Sequence, residues 1–260
     1  KSMRKKERRA NAEKREKMPE RDMREPFPLT DVQYAYWAGR EDGQPLGGIG
    51  CHAYLEFDGN NVEAVRLETA WNQLQYHHPM LRACFTEDGR QKIQERPFSE
   101  KMSVNDFSDM TEKEAYKKAE KVRERLSHRK LQIEKGEVAG IELTLFPSGK
   151  TRIHIDMDLL IADVQSLQIL LKDLAAAYNG KKLPEESKDW NFAAYLERQA
   201  VDDKKEKEKA KDYWRKRLDT LPKGPELPLA KRPEEVEKTV FHRRIVRIEK
   251  KEWEELQSKA

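Results

Sequence analysis

Cysteine is scarce in this sequence. Cys51 and Cys84 are the two thiols in 260 residues. Two thiols cannot build a disulfide framework, so a reducing, cytoplasmic setting is expected, and both read as small buried hydrophobes. Long apolar runs are missing as well. Nothing approaches the roughly 18–20 residues that span a bilayer, and the N-terminus has no apolar export core. No membrane partner is therefore expected. Nor is there an excess of one charge: 52 basic residues stand against 48 acidic ones, leaving +4. A dedicated nucleic-acid binder would concentrate positive charge on one face, so that class is set aside. The glycines Gly43, Gly47, Gly48 and Gly50 form a loop, but neither G-x-x-x-x-G-K-[ST] nor a helix-opening G-x-G-x-x-G is present. A G-x-S-x-G nucleophile elbow is absent too. What is there is a chain with 38% charged residues, long enough for one large core or two smaller ones.

Residues 1–25 mix Arg, Lys and Glu with almost no apolar residues, and read as a solvated extension or linker. A basic arm that grips a partner is the sharper alternative. Order begins at Phe27, where Thr30 and Gln33 have the spacing of a capping box and Gly39 ends a short helix carrying Tyr34, Tyr36 and Trp37. A strand is expected at His52–Asp58. Asn61 is placed to cap the next helix, whose inward stripe is Leu67, Ala70, Trp71 and Leu74. Hairpins are expected around Glu87-Asp88-Gly89 and around Pro147–Lys150, with a weak strand near Val104–Phe107 between them. Thr111 and Glu114 mark a second capping box, for a highly charged helix reaching about Ser127. Later come a long helix from about Phe192 to Leu218, a proline-rich extended stretch at Leu221–Leu229, a strand at Val240–Ile248 and a final helix start. Strands alternate with helices and hairpins, so the fold class is α/β in the broad sense, an α+β layered architecture. The last helix runs to Ala260, which reads as an interior cut in a longer protein.

The stretch Asp158–Ser166, D-L-L-I-A-D-V-Q-S, sits between a period-two strand (Ile153, Ile155 and Met157 against His154 and Asp156) and a helix carrying Leu167, Leu170, Leu171 and Leu174. The alternation implies one buried face, with His154 on the polar one. Asp158 and Asp163 flank a wholly apolar run, and a carboxylate there must be paired, hydrogen-bonded or neutralised. They could form an acid/base pair, yet an offset of five rarely aims two side chains into one cavity. One catalytic and one structural, or both structural, is the preferred reading. Ser166 reads as a helix cap before it reads as a nucleophile. No His or Cys stands at ligand spacing near these acids, so no metal is expected. The adjacent His77-His78 reads as a helix-terminus pair.

D-L-L-I-A-D-V-Q-S resembles the D-x-x-x-x-D-x-x-S signature of heterocyclization domains from nonribosomal peptide synthetases. Four further stretches resemble that family's motifs in order. They are Phe27–Arg40, Gly50–Gly59, His77–Phe85 and Leu221–Leu229. The resemblance implies a condensation-domain relative with a chloramphenicol-acetyltransferase-like fold: residues 26–185 as the N-terminal lobe, and 186–260 as connecting helix, crossing segment and the start of a truncated C-terminal lobe. Upstream and downstream carrier proteins would bring thioesters on 4'-phosphopantetheine arms, with an adenylation domain in the same assembly line. The activity implied joins an acyl thioester to a Cys, Ser or Thr thioester and cyclodehydrates the product to a thiazoline or oxazoline. A condensation-type acyltransferase that does not cyclise, and a non-catalytic docking module, are the alternatives.

Ordinary condensation domains carry H-H-x-x-x-D-G here. Laid over this sequence, the first His falls on Asp158, the second, active one on Leu159, and the Asp on Asp163. A histidine base at that position is thereby excluded. Asp158, Asp163 and Ser166 are the motif residues to place in the site, Asp158 nearest the tunnel. Asp163 is expected to pair with Arg82 as a structural ion pair. His77 stands where related motifs usually carry Arg. The resemblance puts the groups for cyclodehydration in the missing lobe, which implies that these 260 residues alone are inactive.

Overall fold

The structure, a computed structural model, describes residues 22–185, 191–202, 204–242 and 244–259. Most of the expected N-terminal extension, residues 1–21, lies outside them. A four-stranded sheet is built around β7 (Lys150–Asp158), in the order β2-β7-β6-β5. β2 (His52–Asn60) pairs antiparallel with β7 from His52 opposite Asp158 to Asn60 opposite Lys150. β6 (Ala139–Leu145) pairs antiparallel on the other side, and β5 (Ser103–Asp106) adds parallel to β6. The expected hairpin turn joins β6 to β7, with Ser148 and Gly149 at φ 62° and 74°. A second, three-stranded antiparallel sheet has the order β1-β4-β3 (Phe27–Pro28, Arg90–Ile93, Ala83–Phe85). Its β3–β4 turn uses Gly89 at φ 71°, a conformation that favours glycine.

Both expected capping boxes form. Thr30 and Gln33 open α1 (Asp31–Ala38), and Thr111 and Glu114 open α3 (Glu112–Ser127). α2 (Ala64–His77) and α4 (Val164–Tyr178) pack together on one face of the large sheet. Leu67, Trp71, Leu74, Leu170 and Leu174 there meet Ile141, Leu143, Ile155 and Met157. Each such side chain contributes about 1.5–3 kcal/mol through burial. α3 covers the opposite face. Its Val122 and Leu126 pack on Tyr54, and its Ala115 and Ala119 on Phe146, a one-sided stripe on an otherwise charged helix.

β7 is therefore buried on both faces, and the expectation of a single buried face is overturned. His154 is 0% exposed, not a polar-face residue in solvent. Charged and apolar positions still alternate. The charged face is covered because α3 and the loop after it lay Arg123, Arg125 and Arg129 over it. Asn61 does not cap α2. It takes φ 52°, turning the chain, and Glu63 precedes the helix without a side-chain cap. The expected long helix is described as α5 (Phe192–Asp202) and α6 (Lys204–Arg217). Leu221–Leu229 is non-helical, as its prolines require, and α7 (Lys250–Lys259) follows. The expected strand at Val240–Ile248 does not form among its described residues. Ile245 and Val246 are 82% and 85% exposed, without the neighbouring strand that a ladder needs. Among the described residues no helix is long and apolar enough to cross a membrane.

Candidate active site

β7 ends in a buried ion pair. Asp158 is 1% exposed and Arg40 is 4% exposed. Arg40 Nη1 donates to Asp158 Oδ2, and Nη2 donates to the Leu131 carbonyl. Asp158 Oδ1 accepts the Leu160 N–H at 3.0 Å. Burial pushes the Asp158 carboxyl above the usual carboxylate range, and the Arg40 charge and the Leu160 N–H oppose that shift. Lys130 Nζ donates to the Arg40 carbonyl at 2.7 Å, anchoring the backbone behind the guanidinium. Gly50 lies against the pair. A Cβ there would collide with Arg40 Nη1 and stand 3.3 Å from Asp158 Oδ2, so the position needs a glycine.

The apolar run after Asp158 is fixed by backbone bonds. The Leu159 N–H donates to the Cys51 carbonyl at 2.8 Å. The Leu160 carbonyl accepts Gln33 Nε2 at 2.7 Å. Gln33 also exchanges amide hydrogen bonds with Gln91, each at 3.0 Å. Both amides are buried and fully engaged, which makes this a specifying polar network inside an apolar wall. Three of the motif stretches meet here. Arg40 closes the first, Gly50 opens the second and Asp158 opens the third. Leu159 is half-buried and puts no ionisable group where the alignment places the active histidine.

Asp163 points the other way. It is exposed and is itself the N-cap of α4, its Oδ1 accepting Ser166 N–H at 2.8 Å and Ser166 Oγ–H at 2.7 Å. Those two bonds hold its carboxyl below the usual range. Ser166 is thus the third helical residue, its hydroxyl donated to the cap, and the capping role expected of it belongs to Asp163. The expected Arg82–Asp163 pair does not form. Arg82 donates to the Gln75 carbonyl at 3.0 Å, the Tyr76 carbonyl at 3.2 Å and the Gln94 carbonyl at 2.8 Å. The end of α2 presents partial negative charge, and the guanidinium satisfies it there. One acid is sealed in the interior and the other is in solvent, so the pair is no dyad. Asp158, expected to stand nearest the tunnel, is a sealed carboxylate.

The sequence reading missed Arg40, Gly50 and a polar network on the charged face of β7. Tyr54 Oη donates to Glu56 Oε1 at 2.7 Å and lies 2.7 Å from His154 Nδ1; Thr144 Oγ1 lies 2.8 Å from His154 Nε2. The phenol has one hydrogen and Glu56 takes it. His154 Nδ1 is then the donor to Tyr54. Burial pushes the imidazole pKa down, which favours the neutral ring, with Nε2 accepting from Thr144. Arg123 grips Glu56, Arg125 grips Glu142 and Arg129 grips Asp156, each through two nitrogens. Of the cysteines, Cys84 is buried as expected, whereas Cys51 is exposed. His77 ends α2, and the His78 N–H bonds the Leu74 carbonyl, so the helix-terminus reading holds.

Against known proteins, the condensation-domain family model matches residues 23–260. Pyochelin synthetase PchE of Pseudomonas aeruginosa (strain UCBPP-PA14) is 40% identical over 215 residues, 83% of this chain and 15% of that protein. Phenyloxazoline synthase MbtB of Mycobacterium tuberculosis (strain ATCC 25618 / H37Rv) is 38% identical over 211 residues, 78% of this chain and 14% of that protein. The chain therefore spans a small part of the curated relatives it matches. The solved EpoB nonribosomal peptide synthetase cyclization-docking bidomain from Sorangium cellulosum superposes with a TM-score of 0.74 at 27% identity, covering 82% of this chain and 42% of that one. With the family model matched across 23–260 and the fold shared with a cyclization bidomain, this chain belongs to the condensation-domain family.

Proposed function

We propose that the chain is the N-terminal part of a heterocyclization domain in a nonribosomal peptide synthetase, with residues 26–185 as the first lobe and 186–260 leading into the second. One observation carries this reading. At the strand-to-helix junction where condensing relatives place a histidine pair, this chain has Asp158 sealed against Arg40 and an aliphatic Leu159. The likeness to a phenyloxazoline synthase and to a cyclization bidomain supports the same conclusion. In the reaction, the amine of a carrier-bound Cys, Ser or Thr thioester attacks an upstream acyl thioester and expels the carrier thiol. The side-chain thiol or hydroxyl then adds to the new amide carbonyl, and water leaves to give a thiazoline or oxazoline. Phosphopantetheine arms of two carrier proteins present the partners, and an adenylation domain loads the second. The first step needs little from side chains, because a thioester is already activated and positioning supplies much of the rate. Loss of water requires a proton donor, which the second lobe would supply.

The test is the product of the intact synthetase, read by mass spectrometry. Heterocyclization gives a product lighter by one water than the linear amide. Accumulation of the linear amide or an ester alone would favour the non-cyclising reading. The Asp163→Asn variant refines the outcome, because asparagine caps a helix as well as aspartate. Ring formation and thermal stability should both persist in that variant. Loss of the ring with the fold intact would give the carboxylate a chemical role.

A further inference from the structure

The end of α2 and the middle of α4 bring two imidazoles and a carboxylate together, apart from the Arg40–Asp158 pair. His77 is the last residue of α2, His78 follows it, and Asp173 lies inside α4. One ligand atom from each stands within 4.8 Å of the other two. His78 Nε2 and Asp173 Oδ2 are already 2.9 Å apart, and the two imidazole rings stand at 89° to each other with centroids 4.7 Å apart. Asp173 is 6% exposed, and both histidines are half-buried. We propose that His77, His78 and Asp173 form a binding site for a zinc ion. Bonds of about 2.0–2.1 Å in a tetrahedral site put ligand atoms roughly 3.3–3.5 Å apart, so side-chain rotation of about an ångström closes the set. Two imidazole nitrogens with one carboxylate oxygen suit zinc, whereas magnesium and calcium favour all-oxygen sets. Three protein ligands leave a fourth position for water. A cavity lined by His78, Met80, Leu81, Ile161, Ser166 and Leu170 adjoins it. The ion would pin the end of α2 to α4, the helix capped by Asp163 and carrying Ser166 in its first turn. The ligands come from positions 77, 78 and 173, which is why motif spacing around Asp158 gave no sign of them.

Competition against a chromophoric zinc chelator, run on the intact polypeptide that carries this chain, tests the site. The unaltered protein should take up one more equivalent of Zn2+ than the His77→Gln variant, with both melting at the same temperature in the absence of metal. Asp173→Asn, which keeps a hydrogen-bonding partner for His78, should lower zinc affinity at least about tenfold. Equal uptake by the unaltered protein and a folded His77→Gln variant overturns the site. If His77→Gln does not fold, Co2+ added to the unaltered protein decides. Visible absorption of four-coordinate cobalt, displaced by one equivalent of Zn2+, supports the site, and its absence overturns it.

Discussion

Asp158 gains most of its meaning from a partner 118 residues away. Removing one member of a buried pair leaves the other charge uncompensated, at about 3–5 kcal/mol. Asp158→Ala should therefore lower unfolding stability by that amount in urea denaturation, and Gly50→Ala should destabilise in the same direction by displacing Arg40. Unchanged stability in both variants would show that the pair does not hold the junction. Because activity would fall along with the fold, lost turnover in Asp158→Ala says nothing of catalysis unless folding is measured beside it. The sequence showed that a carboxylate beside Leu159–Ala162 needs a partner, because the cost of burying it alone is general. It did not show which one, since burial and long-range approach leave no local pattern. Arg40 and Gly50 were visible as the ends of two motifs, and that was the available sign. Arg82 does not reach Asp163 because the terminal carbonyls of α2 claim it.

At the level of elements, local rules did well. Capping boxes at Thr30 and Thr111 and turns at Gly89 and Ser148–Gly149 depend on residues a few positions apart, which sequence displays directly. β7 shows where they stop. Alternation distinguishes two faces of a strand, but it cannot reveal that an arginine-bearing helix lies over the polar one. A pH effect follows. Burial holds the His154 pKa below its usual value of about 6.5, so the folded chain binds that proton more weakly than the unfolded chain. The stability His154 supplies is complete above pH 6.5. As the pH falls below that value the unfolded state takes up more protons and stability drops, by at most about 1.4 kcal/mol per pH unit for one proton. Thermal melts between pH 7.5 and 5.5 should show this slope (pH values roughly bracketing the histidine range), and His154→Gln should flatten it. Glu56 adds a further loss at lower pH: burial raises its carboxyl, but bonds from Arg123 and Tyr54 outweigh this and hold it below the usual carboxylate range.

Over the whole molecule, the near balance of charge and the lack of a nucleotide-cradle motif leave the motif stretches to carry the functional signal. The five motif stretches then supplied the family, which the family model bears out over residues 23–260. The stretch least legible was the last, where Val240–Ile248 has the composition of a strand. A strand exists only with neighbours, and here the described residues lie exposed. The proposed two-lobe organisation gives that segment a sheet to join. It also sets an expectation for catalysis: these 260 residues, supplied with both loaded carrier proteins, should form no thiazoline or oxazoline, while the intact synthetase does. Ring product from the shorter chain would place the dehydrating groups within it.

The meeting of Arg40, Gly50 and Asp158 has a practical consequence for exchanging chemistry between synthetases. Writing D-x-x-x-x-D-x-x-S into a histidine-bearing condensation domain would introduce a new interior anion. Unless the host already offers a guanidinium and a side-chain-free position to receive it, the recipient would be lost to misfolding before its product could be assayed. The transferable unit is the three-part lock, drawn from separate segments, and not the nine-residue signature alone.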